Sequence, residues 1–70
     1  MRYRELARRL RKLGCEELRS SKGSHRTWYN PVNGLVTTVP DWGSKDLSPG
    51  TVRAIIRELD ISRREFGPIK

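Results

Sequence analysis

The chain has 70 residues, a length typical of one small domain that buries only about 60% of its unfolded surface. With 15 Lys and Arg against 8 Asp and Glu, its net charge is +7. One cysteine and one histidine exclude an intramolecular disulfide and a zinc knuckle. We therefore expect a single domain over residues 1–70 with an open surface site and no enclosed cofactor pocket.

The positive charge is concentrated in the first part of the chain. Residues 1–29 carry nine cations and three acids, a charge of +6, whereas residues 30–70 carry six cations and five acids, a charge of +1. A one-sided basic surface is typical of proteins that bind polyanions, of which nucleic acid is the commonest. A solvated helix face would give the same count, so charge alone leaves both interpretations open.

The first half of the chain predicts a helix followed by strands. An amphipathic helix ends at Gly14, and a short strand over Cys15–Ser20 leads to a turn around Ser21–Gly23. Residues 24–30 then alternate, and after a Pro-Val-Asn-Gly turn the β-branched run Leu35–Val39 closes a hairpin. The apolar residues of the helix are Tyr3, Leu6, Ala7, Leu10 and Leu13.

The alternation of the hairpin separates two sets of side chains. His25, Thr27 and Tyr29 share one face of the predicted sheet, and Trp28 lies on the other. One face must pack against helices while the other meets solvent. The histidine and the tryptophan are therefore expected on opposite sides.

The second half of the chain predicts a loop over Pro40–Leu47 and a helix after it. Ser48 is a suitable N-cap, and Pro49 suits the first helical position. Ser62 and Glu65 match a capping box for a final helical turn. The apolar stripe of the helix consists of Val52, Ile55, Ile56 and Leu59. The whole order predicts an α+β fold, with helices packed on one face of a three-stranded antiparallel sheet.

The segment Lys22-Gly23-Ser24-His25-Arg26 is suited to phosphate chemistry. His25 can exchange a proton near neutral pH, and Lys22 and Arg26 can bind phosphate. Backbone N–H groups at Gly23 and Ser24 can donate to the same group. RNA carries its own nucleophile, the 2′-hydroxyl, so cleavage without a metal would be specific for RNA. On this segment alone, an ordinary exposed histidine after a tight turn is the simpler interpretation.

Three residues outside this segment have further assignments. Lys45 is suited to contact a phosphate near the second helix, or is an exposed loop lysine. Trp42 is expected to be a packing anchor or a partner contact, and Cys15 a small buried hydrophobe.

The sequence has no metal-ligand cluster, nucleotide-binding motif, membrane span or signal peptide. We expect no metal, no cofactor, no membrane contact and a cytoplasmic location.

These residues form one pattern along the chain: Lys22-Gly23-Ser24-His25 after an amphipathic helix, Val39-Pro40 at the end of a hairpin, and Lys45-Asp46-Leu47-Ser48-Pro49-Gly50-Thr51 before the second helix. Over nearly its whole length the chain resembles the HicA family of toxins from HicA–HicB toxin–antitoxin modules. The resemblance implies a double-stranded-RNA-binding-domain-like fold, α-β-β-β-α. It also implies a metal-independent endoribonuclease that cleaves mRNA and inhibits translation, with His25 as the catalytic residue, and a HicB-like antitoxin that neutralises it.

The chain departs from the family pattern at Pro40-Asp41-Trp42-Gly43, because many relatives carry a second histidine shortly after the Val-Pro segment. The donor of a proton to the leaving oxygen is therefore open between Lys22, Tyr29 and water. Two other functions are also open. A non-catalytic RNA-binding module of the same fold would bind RNA in a salt-sensitive manner without cleaving it. A protein-binding domain would dock its basic face on an acidic partner.

Overall fold

A computed structural model describes residues 1–18 and 24–69, and within them the predicted α-β-β-β-α order is confirmed. The turn predicted around Ser21–Gly23 and the end of the predicted first strand lie outside these residues. The helices are α1 (Tyr3–Lys12), α2 (Pro49–Glu58) and the short α3 (Arg63–Phe66), and the strands are β1 (Glu16–Glu17), β2 (His25–Asn30) and β3 (Leu35–Pro40).

The strands form an antiparallel sheet in the order β1-β2-β3, so β2 is the central strand. His25 pairs with Pro40 at one end of β2, and Tyr29 pairs with Glu16 of β1 near the other. Because side chains alternate along a strand, Trp28 points toward the helices while His25 and Tyr29 point away. The predicted division of the hairpin into two faces is confirmed by burial, since Trp28 is 0% exposed.

The hydrophobic core lies between the helices and one face of the sheet. Beside the core, Trp28 Nε1 donates a hydrogen bond to the Tyr3 hydroxyl at 3.0 Å, and the Arg11 guanidinium lies 5.3 Å from the indole ring centroid. Burial raises the pKa of the Cys15 thiol, as expected of a small buried hydrophobe. The buried apolar residues are Leu6, Ala7, Leu10, Cys15, Trp28, Val39, Leu47, Val52, Ile55, Ile56, Leu59 and Phe66.

The ends of the helices follow local rules. Gly14 has φ = +91° after α1, the left-handed conformation predicted for it. The end of α2 uses Asp60 (φ = +55°) at the corresponding position, which the sequence did not reveal. Ser48 and Ser62 each accept a hydrogen bond from the backbone N–H three residues further on, at 3.2 and 3.0 Å. Both predicted serine caps are therefore confirmed.

The β2–β3 turn is fixed against the C-terminal end of α2. The Asn30 side-chain amide is 6% exposed and donates to the Leu59 carbonyl at 2.8 Å, and Asn33 donates to the same oxygen at 3.0 Å. Asn30 Oδ1 also accepts from the Val32 N–H at 3.1 Å. These bonds satisfy a helix-end carbonyl that lacks an intrahelical donor, and they set the position of the hairpin relative to α2.

Candidate nucleic-acid interface

His25 is the first residue of β2 and is exposed on the face of the sheet away from the helices. Its backbone position is fixed on both sides. His25 pairs with Pro40 of β3, and the Ser24 carbonyl accepts a hydrogen bond from the Asp41 N–H. A small domain can therefore present this imidazole at a defined place on an open surface.

The neighbours of His25 on the open face are set by the strand register. Thr27 lies two residues along β2 and pairs with Thr38 of β3, so two threonines neighbour His25 on this face. Tyr29 shares this face, but four residues separate it from His25, about 13 Å along a strand. The backbone positions of the two threonines are therefore closer to His25 than that of Tyr29. Sequence analysis missed Thr38, which the predicted hairpin register could have indicated.

Arg26 lies on the opposite face from His25 although it is the next residue. Its guanidinium contacts Asp41 Oδ2 at 3.3 Å and Glu17 Oε2 at 3.7 Å. Its Nε is buried and has no hydrogen-bond partner among the described residues. Two carboxylates therefore compete with any phosphate for this side chain, and Arg26 ties the start of β2 to the strand and loop beside it.

The loop after β3 is fastened to the start of β2. Asp41 joins them through its backbone bond to Ser24 and its ion pair with Arg26, and its Oδ1 accepts from the Gly43 N–H at 3.0 Å. Lys45 and Trp42 are both exposed on this loop. The indole of Trp42 is 50% exposed, which excludes the role of packing anchor expected for it.

A cationic cleft of about 440 Å³ lies between α1 and this loop. Three arginines of the N-terminal segment line it, and Gly43 and Ser44 form its other wall; the arginines are Arg2, Arg4 and Arg11. Arg2 and Arg4 make no side-chain hydrogen bond or ion pair with any other described residue. Burial raises the pKa of the Tyr3 hydroxyl in the same cleft, and the nearby Glu17 carboxylate raises it further. The cleft therefore presents a neutral phenol and three cations against one carboxylate, that of Asp41.

The remaining predicted site residues, Lys22 and Gly23, lie outside the described residues, so the phosphate-binding role assigned to them stays a prediction. Ser24 is exposed and precedes His25 directly. Within residues 1–18 and 24–69, no group of three or more His, Cys, Asp and Glu side chains could hold a metal ion. None of the helices in that part of the chain is long and apolar enough to cross a membrane.

The fold defines the class: a small α+β domain of the double-stranded-RNA-binding type, with an exposed histidine on its open sheet face. A sequence model of the family described as "HicA toxin of bacterial toxin-antitoxin" matches residues 3–61. The chain is also 34% identical to a probable mRNA interferase HicA of Pseudomonas fluorescens (strain Pf0-1), over 87% of this chain and 97% of that protein. No solved structure gives a significant match. The chain therefore belongs to the HicA toxin family.

Proposed function

We propose that this protein is a toxin that cleaves mRNA without a metal ion and thereby inhibits translation, with His25 as its catalytic residue. The observation that carries the proposal is the exposed His25 at the start of β2, on the open face of a HicA-family domain. Its relative from Pseudomonas is named for the same activity. Positive charge in the cleft of the N-terminal arginines, which the loop after β3 also lines, supports a polyanionic substrate.

The reaction we propose uses the substrate's own 2′-hydroxyl. His25 takes the proton of that hydroxyl, and the 2′-oxygen attacks the adjacent phosphorus while the bond to the 5′-oxygen breaks. The departing 5′-oxygen takes up a proton. One product therefore ends in a 2′,3′-cyclic phosphate and the other begins with a 5′-hydroxyl. In this proposal the hydroxyl groups of Thr27 and Thr38, which share the face of His25, bind a non-bridging oxygen of the phosphate.

The second proton-transfer group lies on the far side of the phosphorus from His25, because the attacking and leaving oxygens are in line. Of the three groups left open by the sequence, Tyr29 is disfavoured by its separation of about 13 Å along β2. Lys22 or a water molecule is therefore the proton donor in our proposal. A surface site open to solvent makes water the simpler donor, at the expense of a slower reaction.

The test is cleavage of a single-stranded mRNA fragment by the purified chain in EDTA. We expect cleavage to persist without metal, and His25→Ala to reduce the rate about 10²- to 10⁴-fold, the range of a lost general base. Because His25 is exposed, the circular dichroism spectrum of the variant should be unchanged. A substrate with 2′-deoxyribose at the cleaved position is the matched control and should resist cleavage.

Two results would contradict parts of this proposal. Undiminished cleavage by His25→Ala would remove His25 from the mechanism. Salt-sensitive RNA binding with no cleavage at any protein concentration would favour a non-catalytic RNA-binding module of the same fold.

We further propose that a HicB-like antitoxin binds the open sheet face and covers His25. Family membership supports an antitoxin partner, and exposed apolar residues on this face support its location. Val36 lies on the same face as His25 and is 54% exposed, and Leu18 donates its backbone N–H to Thr27 at the edge of this face. An apolar surface in a charged protein is typical of protein–protein contacts.

Co-expression with the product of an adjacent gene, followed by size-exclusion chromatography, tests the antitoxin proposal. We expect Val36→Glu to prevent co-elution, because it places a charge in the centre of the contact. Val32→Glu, at a turn residue 86% exposed, is the matched control and should co-elute normally. Loss of co-elution with both variants, or with neither, would contradict a contact on the open face.

A further inference from the structure

Trp42 is a large aromatic residue that the core does not use. Of the two tryptophans in the chain, Trp28 is 0% exposed and Trp42 is 50% exposed. Leaving half of an indole in water forgoes part of the hydrophobic stabilisation that a small domain needs. The exposed indole is therefore available for contact with a ligand.

The loop that carries Trp42 is held in place relative to His25. Trp42 follows the cross-strand partner of His25 by two residues, a chain distance of at most about 7 Å. Asp41, between them, bonds to the Ser24 carbonyl and pairs with Arg26. The backbone carbonyl of Trp42 accepts from the Lys45 N–H at 3.2 Å. The backbone of Trp42 is thus held close to that of His25, the proposed catalytic residue.

Next to the indole is a shallow cavity of about 320 Å³, lined among the described residues by Trp42 and Lys45. Its size is near the lower end of the range of small-ligand sites, about 300–1,000 Å³. An aromatic face and an ammonium group in one cavity match the two parts of a nucleotide. The base can stack on the indole, and the phosphate can pair with the lysine.

The surroundings favour a nucleic-acid strand over an acidic polypeptide as the occupant. The other side of the same loop, at Gly43 and Ser44, borders the cleft lined by Arg2 and Arg4. Positive charge therefore continues past the loop on the side away from the cavity. A polynucleotide supplies a π face and a negative charge in every repeating unit, whereas an acidic peptide supplies the charge alone.

We propose that Trp42 is the stacking platform for a nucleobase of single-stranded RNA next to the phosphate at His25, with Lys45 binding the phosphate of that nucleotide. This inference rests on the proposed function for its choice of RNA. Trp42 is a binding residue that positions the strand, and it takes no part in proton transfer.

The experiment uses the full chain and a single-stranded 2′-O-methyl RNA oligonucleotide, which binds but cannot be cleaved through its 2′-oxygen. We expect bound oligonucleotide to quench the tryptophan emission, because a stacked base contacts the exposed indole while Trp28 is shielded. Trp42→Phe should remove the quenching and weaken binding less than about threefold, since a smaller ring still stacks. Trp42→Ala should weaken binding about 5- to 150-fold, which corresponds to about 1–3 kcal/mol.

Fluorescence anisotropy of the labelled oligonucleotide measures the affinities, and Val32→Ala is the control for loss of an exposed apolar side chain. Three results would each overturn the proposal. They are an unchanged affinity in Trp42→Ala, equal losses of affinity in the Phe and Ala variants, and no binding of the oligonucleotide by the unaltered chain. Because the probe cannot be cleaved, these results do not depend on catalysis. Failure of cleavage with intact quenching would reject the proposed reaction and leave the stacking site standing.

Discussion

Trp28 and Tyr29 are neighbours on β2, yet they lie in opposite surroundings. Trp28 is fully buried against the helices and makes a hydrogen bond to Tyr3, whereas Tyr29 lies half-buried on the open face. His25 shares the open face with Tyr29, and Asn30 shares the helix-facing side with Trp28. The difference teaches that neighbouring residues of one strand can serve separate purposes: one face packs against the helices, and the other exposes the residues to which we assign the function.

The strongest test of this division is the loss of Trp28. We expect Trp28→Ala to lower the free energy of unfolding by about 3–5 kcal/mol, because it leaves a cavity and removes the hydrogen bond to the Tyr3 hydroxyl. Urea unfolding followed by circular dichroism measures this loss of free energy. A variant that is already unfolded without urea would also agree with the prediction. A loss below about 1 kcal/mol would mean that this face does not carry the stability.

Asn30 tests the same face through a polar contact. Asn30→Ala leaves the Leu59 carbonyl with the exposed Asn33 as its remaining side-chain donor and should cost about 1–3 kcal/mol of unfolding free energy. Asn33→Ala is the matched control and should cost less, because water can replace an exposed amide. Equal losses in the two variants would show that burial of the hydrogen bond does not matter here.

The open face should tolerate a comparable truncation. We expect Tyr29→Ala to change the free energy of unfolding by less than about 1 kcal/mol, because its side chain lies outside the core and contributes mainly strand propensity. The same urea titration, run beside Trp28→Ala, gives the comparison directly. A loss similar to that of Trp28→Ala would break the proposed division between the faces.

The smallest effect is expected at Glu5, on the surface of α1. Hydrogen bonds from Arg8 and Arg9 lower the pKa of the Glu5 carboxyl to about 2. Because the folded state holds this pKa below its usual value of 4.5, the charged carboxyl stabilises the folded protein above pH 4.5. This contribution is lost as the pH falls toward 2. Thermal unfolding of the unaltered chain and Glu5→Gln should therefore differ at neutral pH and converge in acid. A difference independent of pH would show that the charge is not responsible.

Much of the molecule followed from the sequence because its signals are local. Periodicity predicted both main helices and the hairpin, Ser48 and Ser62 predicted helix starts, and Gly14 predicted a helix end. Alternation alone separated His25 from Trp28, since strand residues an odd number of positions apart necessarily point to opposite faces. Asp60 gave no such signal, because a non-glycine residue adopts φ = +55° only where the surrounding fold holds it there.

The sequence by itself determined the order of the helices and strands and the position of His25 on the face opposite Trp28. It also showed the resemblance to the HicA toxin family, and the chain belongs to that family. Tertiary structure alone decided what surrounds that histidine. Arg26 pairs with Glu17 and Asp41, residues that are distant in sequence and meet only when β1 and the loop pack beside β2. The exposure of Trp42 is likewise a property of the folded chain, because local pattern carries no information about which aromatic residue packs in the core.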